Sequence, residues 1–223
     1  MGMVQQARQR NSRGQGALLR DEILSAATRV IDDAQTEGEV SLRSIARAAG
    51  IAAPSVYSHF DDRDDVLDAV AESSWTQVCE EIAGRSSTGS TPRDRLVLGC
   101  QAYVSFAQRY PLRYALMTQS ADIPTAAKQA LEIVTRGLLA CCGKQEPASA
   151  TSDKIAAALS VALHGVAMLH RTDVPNLWLS DFSTDEIIGS LVDSAILQQD
   201  KMSTSPDRRA GGRRTQTKKP NTA

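Results

Sequence analysis

Residues 41–60 constrain this chain more than any other stretch. Ser41 is placed to cap a helix, its hydroxyl accepting a backbone N–H that would otherwise be orphaned. Leu42, Ile45, Ala46 and Ala49 then recur at helical spacing and make one apolar face. Gly50 follows where a helix end commonly needs a positive φ. A second helix restarts from Ala52 or Ala53, since Pro54 is tolerated only in a first turn, where its missing N–H had no partner. Val56 and Phe60, four apart, can pack inward, and Ala46 is small enough to let the two helices approach. Two short helices joined by a turn containing glycine form the helix-turn-helix outline. An ordinary helical hairpin shares that outline. Here, however, the second helix is too short to add much core, and Ser55, Tyr57, Ser58 and His59 point away from it with groups suited to phosphate oxygens and base edges. DNA recognition is the favoured reading.

The net charge of −1 is unevenly spread. Residues 1–20 carry +4 and residues 201–223 carry +6, which leaves −11 on the body between them. Basic ends on an acidic body confine contact with a polyanion to particular surfaces. Arg8, Arg10 and Arg13 lie in a polar leader, 1–16, expected to be a disordered arm that either enters a minor groove or is simply solvated. The tail from 201, with Arg208, Arg209, Arg213, Arg214, Lys218 and Lys219, reads as disordered too. It either adds non-specific DNA affinity or solubilises the chain.

The rest is a succession of helical patterns without strands. One runs from Ala17 to about Gln35, and a long one extends from the acidic 61–65 run to about Gly84. Others span Pro92 to Tyr110, Leu112 to Thr118, Pro124 to about Cys142, Asp153 to His170 and Thr184 to 198, with a loop at 174–183. The fold expected is all-α: a three-helix DNA-binding domain over 17–65 and a larger helical domain over 66–200. No apolar run approaches the ~20 residues a bilayer span needs, and no secretory signal is visible, so a cytoplasmic protein without membrane contact is expected.

Cys79, Cys100, Cys141 and Cys142 form no C-x-x-C pair, and His59, His164 and His170 lack the spacing of a zinc helix. The adjacent Cys141 and Cys142 read as small buried hydrophobes rather than a redox switch. No metal, no cofactor and no nucleophile–base pair emerges, which argues against an enzyme.

Residues 18–67 resemble the DNA-binding domain of the TetR/AcrR family of bacterial transcriptional regulators. The resemblance is carried by Ser41, Leu42, Arg43, Ile45, Ala46, Ala49, Gly50 and Ile51, then by Ser55, Val56, Tyr57, His59 and Phe60, then by Arg63 to Leu67. It implies a homodimer on a double-stranded operator. Arg43 and Ser44 would approach DNA from the first motif helix, Ala53, Pro54 and Ser55 would face base edges, and Tyr57, Ser58, His59 and Arg63 would lie at the same interface, with phosphates held by Tyr57, His59 and Arg63. Asp61 and Asp62 depart from the family pattern, and they either weaken that grip or cap the next helix. The stretch Tyr110 to Met117 and the tripeptide Leu163-His164-Gly165 look like the subset named for a Trp-His-Gly motif, with Leu in place of Trp.

A pocket for a small-molecule effector is expected among Trp75, Cys79, Tyr103, Phe106, Met117, Leu139, His164, Met168 and Trp178, about half of them on its wall and the rest plain core. His164 and Met168 share a helix face and serve as the first guess for a polar anchor and a flexible wall, although a satisfied buried imidazole explains His164 equally well. Aromatic residues at only 4% favour an aliphatic effector of modest size. Dimerisation is expected to use the helix 153–170 and the last helix 184–198, on which Ile187, Ile188, Leu191, Val192, Ala195 and Ile196 make a stripe wider than one partner helix needs, as at a four-helix interface about a two-fold axis. A helical protein-interaction module that merely keeps the helix-turn-helix shape is the competing reading.

Overall fold

The computed structural model describes residues 16–119, 124–144, 149–169 and 181–204. Every regular element among them is helical. In order these are α1 (Gly16–Asp33), a 3-10 turn (Glu37–Glu39), α2 (Leu42–Ala49), α3 (Ala53–Val56), α4 (Arg63–Ser86), α5 (Pro92–Arg109), α6 (Pro111–Gln119), α7 (Thr125–Cys141), α8 (Ala150–Leu169) and α9 (Thr184–Thr204). Sequence patterning anticipated all the long helices. It missed the 3-10 turn, and α9 runs on to Thr204, into what reads as tail. Residues 1–15 of the arm, the rest of the tail, His170 and the 174–180 part of the loop lie outside the described residues, while Gly16 opens α1.

Local chemistry explains the boundaries. Ser41 caps α2 reciprocally: its hydroxyl accepts from the Ser44 amide (3.1 Å), and the Ser44 hydroxyl oxygen accepts from the Ser41 amide (3.0 Å). Thr91 and Asp94 do the same for α5, followed by Pro92 in the first turn. Gly50 closes α2 at φ +68°. A Cβ there would meet no atom within 4 Å, so the penalty for a side chain is purely one of backbone conformation. Gly50→Ala is therefore expected to lower stability by about 1 kcal/mol, seen as a thermal midpoint lower by ~2–4 °C. An unchanged midpoint would contradict the assignment of strain to this residue.

Three apolar clusters hold the helices together. Ile23, Ile31, Ile45, Val56, Phe60 and Val66 fill the first, between α1, α2, α3 and the start of α4. Leu112 and Leu116 of α6 pack onto its edge. Val78, Phe106, Tyr114 and Met117 belong to the second, where α4, α5 and α6 meet. The third joins α5, α7, α8 and α9 through Leu96, Leu138, Leu159, Ile188 and Val192. α4 contributes to the first two clusters, so it crosses the expected 65/66 boundary and belongs to both domains.

α8 qualifies one expectation. Its twenty residues, with a mean hydropathy of 1.3 over the most apolar window, meet the length and composition of a membrane span. Its buried residues Ile155, Ala156, Leu159, Leu163 and Val166 instead pack in the third cluster.

The cysteines are free thiols. Burial pushes Cys100 up to about 12, and burial followed by Asp200 pushes Cys142 to about 12. Neither offers a thiolate at neutral pH, in keeping with small hydrophobes rather than reactive groups.

Candidate nucleic-acid interface and effector cavity

α2 and α3 present a compact outer face. Ile45, Ala46, Val56 and Phe60 are buried, so the helices sit on the first cluster and turn their remaining side chains outward. Arg43, Pro54, Tyr57 and Ser58 are exposed, with Tyr57 at 60%; Ser44, Ala53, Ser55 and His59 are half-buried. The reading helix is shorter than its sequence suggests. Only Ala53–Val56 is α-helical, and the backbone then tightens so that both His59 and Phe60 donate to the Val56 carbonyl (2.9 and 3.1 Å). Tyr57, Ser58 and His59 thus lie on a turn fixed by hydrogen bonds. Arg20 of α1 sits 4.7 Å above the Phe60 ring and holds that turn from behind.

Two residues expected at DNA have their side chains engaged within the domain. The Arg63 guanidinium is turned inward: Nε donates to the Val40 carbonyl (2.8 Å), one terminal nitrogen to the Glu37 carbonyl (2.6 Å), and both terminal nitrogens reach the Glu37 carboxylate at 3.1 Å. With a further bond to Asp64 (3.2 Å), its donors are engaged within the domain, which they brace in this arrangement. The Ser44 hydroxyl donates to the Ser41 carbonyl (2.8 Å) within the cap, which leaves no proton for DNA. Of the two readings of the acidic run, capping is what the geometry shows. Asp62 accepts from the Asp65 amide (2.9 Å), and Asp65 accepts from the Asp61 amide (3.1 Å). Arg47, one turn beyond Arg43 and exposed, was overlooked. Its signal was visible as a second arginine at i+4, off the Leu42–Ile45–Ala49 stripe.

The second site is a cavity of about 560 Å³ between α4, α5, α7 and α8. Of the expected pocket residues, Trp75 and Tyr103 are on its wall. Phe106 and Met117 are fully buried in the second cluster, and Leu139 is buried away from the cavity. Cys79 points its thiol at the Ala126 carbonyl (3.4 Å). Met168 is exposed on the outside of α8. Trp178 lies outside the described residues. The helical spacing of aromatics and methionines does not tell core (Phe106, Met117) from cavity wall (Trp75, Tyr103) or from open surface (Met168).

His164 is one step removed from the wall. Its Nδ1 is 2.7 Å from the Tyr114 hydroxyl, and the two rings stack with centroids 5.6 Å apart. The Tyr114 hydroxyl is in turn 2.8 Å from that of Tyr103. Burial, opposed by that bond, pushes the Tyr103 phenol above its ordinary pKa, so it stays protonated and can donate. The chain Tyr103–Tyr114–His164 therefore links α5 at the cavity to α6 and α8.

The residue before Tyr114 makes another link. Arg113 is 3% exposed and reaches across to α1, its Nε 2.7 Å from the Asp32 carboxylate. That approach is too bent for a good hydrogen bond and is best described as an ion pair. A terminal nitrogen donates to Gln77 of α4 (2.9 Å), and the guanidinium lies 3.8 Å from the Tyr110 ring centroid and 5.2 Å from that of Phe106. Burial pushes the Asp32 carboxyl up by more than the Arg113 charge draws it down.

Comparison with known proteins agrees with this arrangement. Residues 23–70 match the model of the tetR family of bacterial regulatory proteins, and residues 96–194 match that of the tetracyclin repressor-like C-terminal domain. The chain belongs to the TetR family. The match over 23–70 runs from α1 through α2 and α3 into the start of α4, and the protein is a DNA-binding transcriptional regulator. Similar solved structures include a protein of unknown function from Rhodococcus sp. RHA1 at 24% identity, covering 86% of this chain and 98% of that one, with a TM-score of 0.66. A tetR-family regulator from Streptomyces coelicolor is 17% identical over 84% of this chain and 86% of its own, with a TM-score of 0.61. The multidrug binding protein EbrR complexed with imidazole is 18% identical over 79% and 93%, with a TM-score of 0.55. At these identities the solved structures speak for the fold alone. No curated protein matches the sequence.

Proposed function

We propose that this TetR-family regulator is a repressor that holds a palindromic operator as a homodimer and lets go when a small molecule fills the cavity between α4, α5, α7 and α8. In this reading the chain is not an enzyme, and it works beside the chromosome in the bacterial cytoplasm. The observation that carries the reading is the pair of links on α6. Tyr114 is hydrogen-bonded to a cavity wall residue, and its neighbour Arg113 is paired with α1 of the reading domain. A ligand that displaces Tyr103 shifts α6, and α6 shifts the base on which α2 and α3 ride. The ligand's leverage equals its differential affinity for the two arrangements. Two reading helices in successive major grooves would be about 34 Å apart.

The expected pairing of α8 and α9 is kept in this reading, but with other residues than the α9 stripe. Ile188, Val192 and Ala195 are buried within the subunit, so they cannot meet a partner, and Ile187, Leu191 and Ile196 are only partly open. The stripe was wide because α9 has to cover its own third cluster. Exposed apolar surface lies instead at Val161, 72% exposed, with Met168 on the same face of α8, and at Leu197 and Met202 on α9. These support a two-fold contact of α8 and α9 with their copies.

Gel shift of genomic fragments across a salt series tests the function. Sequence-dependent retardation that weakens with salt and is reversed by a fraction of cell metabolites is expected. Binding indifferent to sequence would overturn the operator reading, and retention on every fraction would overturn the effector reading. Elution as a monomer at micromolar concentration would remove the dimer.

A further inference from the structure

The cavity has a direction. On α4 its wall runs from Trp75 to Ser86, eleven residues or about 16 Å of helix. On α5 it runs from Pro92 to Tyr103, again about 16 Å, and on α7 from Ala127 to Ala140, about 20 Å. Since α4 and α7 lead away from the reading domain and α5 leads back, Trp75, Tyr103 and Ala127 share the inner end. Ser86, Pro92 and Ala140 share the outer end. The space is therefore elongated along the helices. α5 and α7 approach closely beside it: a Cβ on Gly137 would come within 2.9 Å of Leu96 Cδ1.

Its chemistry is as uneven as its shape. The wall is mostly aliphatic, yet two arginines, Arg95 and Arg136, belong to it, and no Asp or Glu does among the described residues. Both lie toward the outer end, Arg95 three residues after Pro92 and Arg136 four before Ala140. Neither makes an ion pair with a described residue. One terminal nitrogen of Arg95 donates to the Gly89 carbonyl (3.1 Å), and Arg136 has only a long 3.4 Å contact from Nε to the Glu132 carbonyl. The remaining donors are planar forks suited to a carboxylate.

Resting on the effector reading above, we infer that the ligand is an amphipathic carboxylate of fatty-acid type. Its chain runs inward to Trp75 and Tyr103, and its head is held between Arg95 and Arg136. Burial of the apolar chain along the aliphatic wall supplies most of the binding, and the two guanidinium groups select the sign of the head group.

The test uses the full chain carrying Trp178→Phe, which leaves Trp75 as the one tryptophan of the two in the sequence. Its fluorescence is titrated, below micelle formation, with dodecanoate, dodecanol and dodecyltrimethylammonium. Dodecanoate is expected to bind at least ~10-fold more tightly than dodecanol, a difference of about 1.4 kcal/mol, with the ammonium weakest. In Arg95→Gln/Arg136→Gln, both exposed positions, dodecanoate should fall to the affinity of dodecanol while dodecanol itself is unchanged. Arg136→Glu should lower dodecanoate further and raise the ammonium. Equal affinity for acid and alcohol, a preference for the cation, a preference that survives the double substitution, or no response of Trp75 would each overturn the proposal. The readout needs no DNA. Tight dodecanoate binding without operator release would retire the release mechanism alone, and release by a metabolite fraction without any dodecanoate preference would retire the ligand class alone.

Discussion

A chain carrying Tyr57→Ala and His59→Ala is expected to lose operator affinity by ~100-fold or more while keeping its thermal midpoint within a few degrees. Tyr57 is largely exposed and His59 half-buried on a turn whose backbone bonds do not involve their side chains, so little stability is at stake. Each would contribute a hydrogen bond to a phosphate, worth about 1.5–3 kcal/mol when the acceptor is charged. The loss is doubled in a two-fold complex. The salt series identifies the kind of contact. Tyr57→Phe should weaken binding with the slope of log affinity against log salt unchanged, because a neutral phenol releases no counterion. Arg43→Gln or Arg47→Gln should reduce that slope by about 0.9 for each phosphate given up. Undiminished binding by the double alanine variant would refute the assigned surface.

The second large effect concerns Arg113. Arg113→Ala is expected to lower stability by about 3 kcal/mol, chiefly because it opens a void beside Tyr110 and Phe106, with a smaller part from the Asp32 carboxylate, which loses its partner but keeps contact with water. In a protein of this size that is a fall of roughly 6–12 °C in the thermal midpoint. Arg113→Met keeps most of the packing and should still lose stability through the unpaired acid, while Arg113→Met/Asp32→Asn should recover most of it. A double variant no better than the single would show that packing, and not charge, is what Arg113 supplies. The pH dependence gives an independent reading. Burial holds the folded-state pKa of Asp32 above its value in the unfolded chain, so the folded state binds this proton more tightly. The corresponding stability is complete below the unfolded value and is lost as pH rises through the folded one. Urea titrations at a series of pH values should show this decline in the parent and a flatter profile in Asp32→Asn.

The reading domain was legible in the sequence because its determinants are local. Ser41, Gly50 and Pro54 each act on the backbone within a turn of themselves, and the signature from Ser41 to Leu67 sits in one unbroken run. What could not be read there depends on partners far along the chain. Arg63 looks like a phosphate ligand, and nothing near it in the chain shows that Glu37 and Val40 fold against it. Ile188 and Val192 look like an interface until α5, α7 and α8 are placed under α9. Tyr103 and Tyr114 are eleven residues apart and show no sign of sharing a hydrogen bond, and Arg113 gives one sequence clue, a charge inside the otherwise apolar stretch from Tyr110 to Met117. The cavity was the least legible element. Its wall is largely Ala, Leu, Val and Gly, residue types that fill any helical core, while of the aromatics and methionines that draw attention only Trp75 and Tyr103 reach it, Phe106 and Met117 being packed solid and Met168 exposed.

Helix α4, 24 residues without a break, is about 36 Å long. In the proposed mechanism it would work as a lever, its far end on the cavity wall at Ser86 and its near end carrying the reading domain. Tilting a rod of that length about its far end sweeps the near end through about 0.6 Å per degree. A rocking of five degrees moves the turn at Tyr57 by ~3 Å, the span of a whole hydrogen bond. Two such rods in a dimer would move both heads at once, so an adjustment too slight to disturb the core is large enough to put a pair of grooves out of reach.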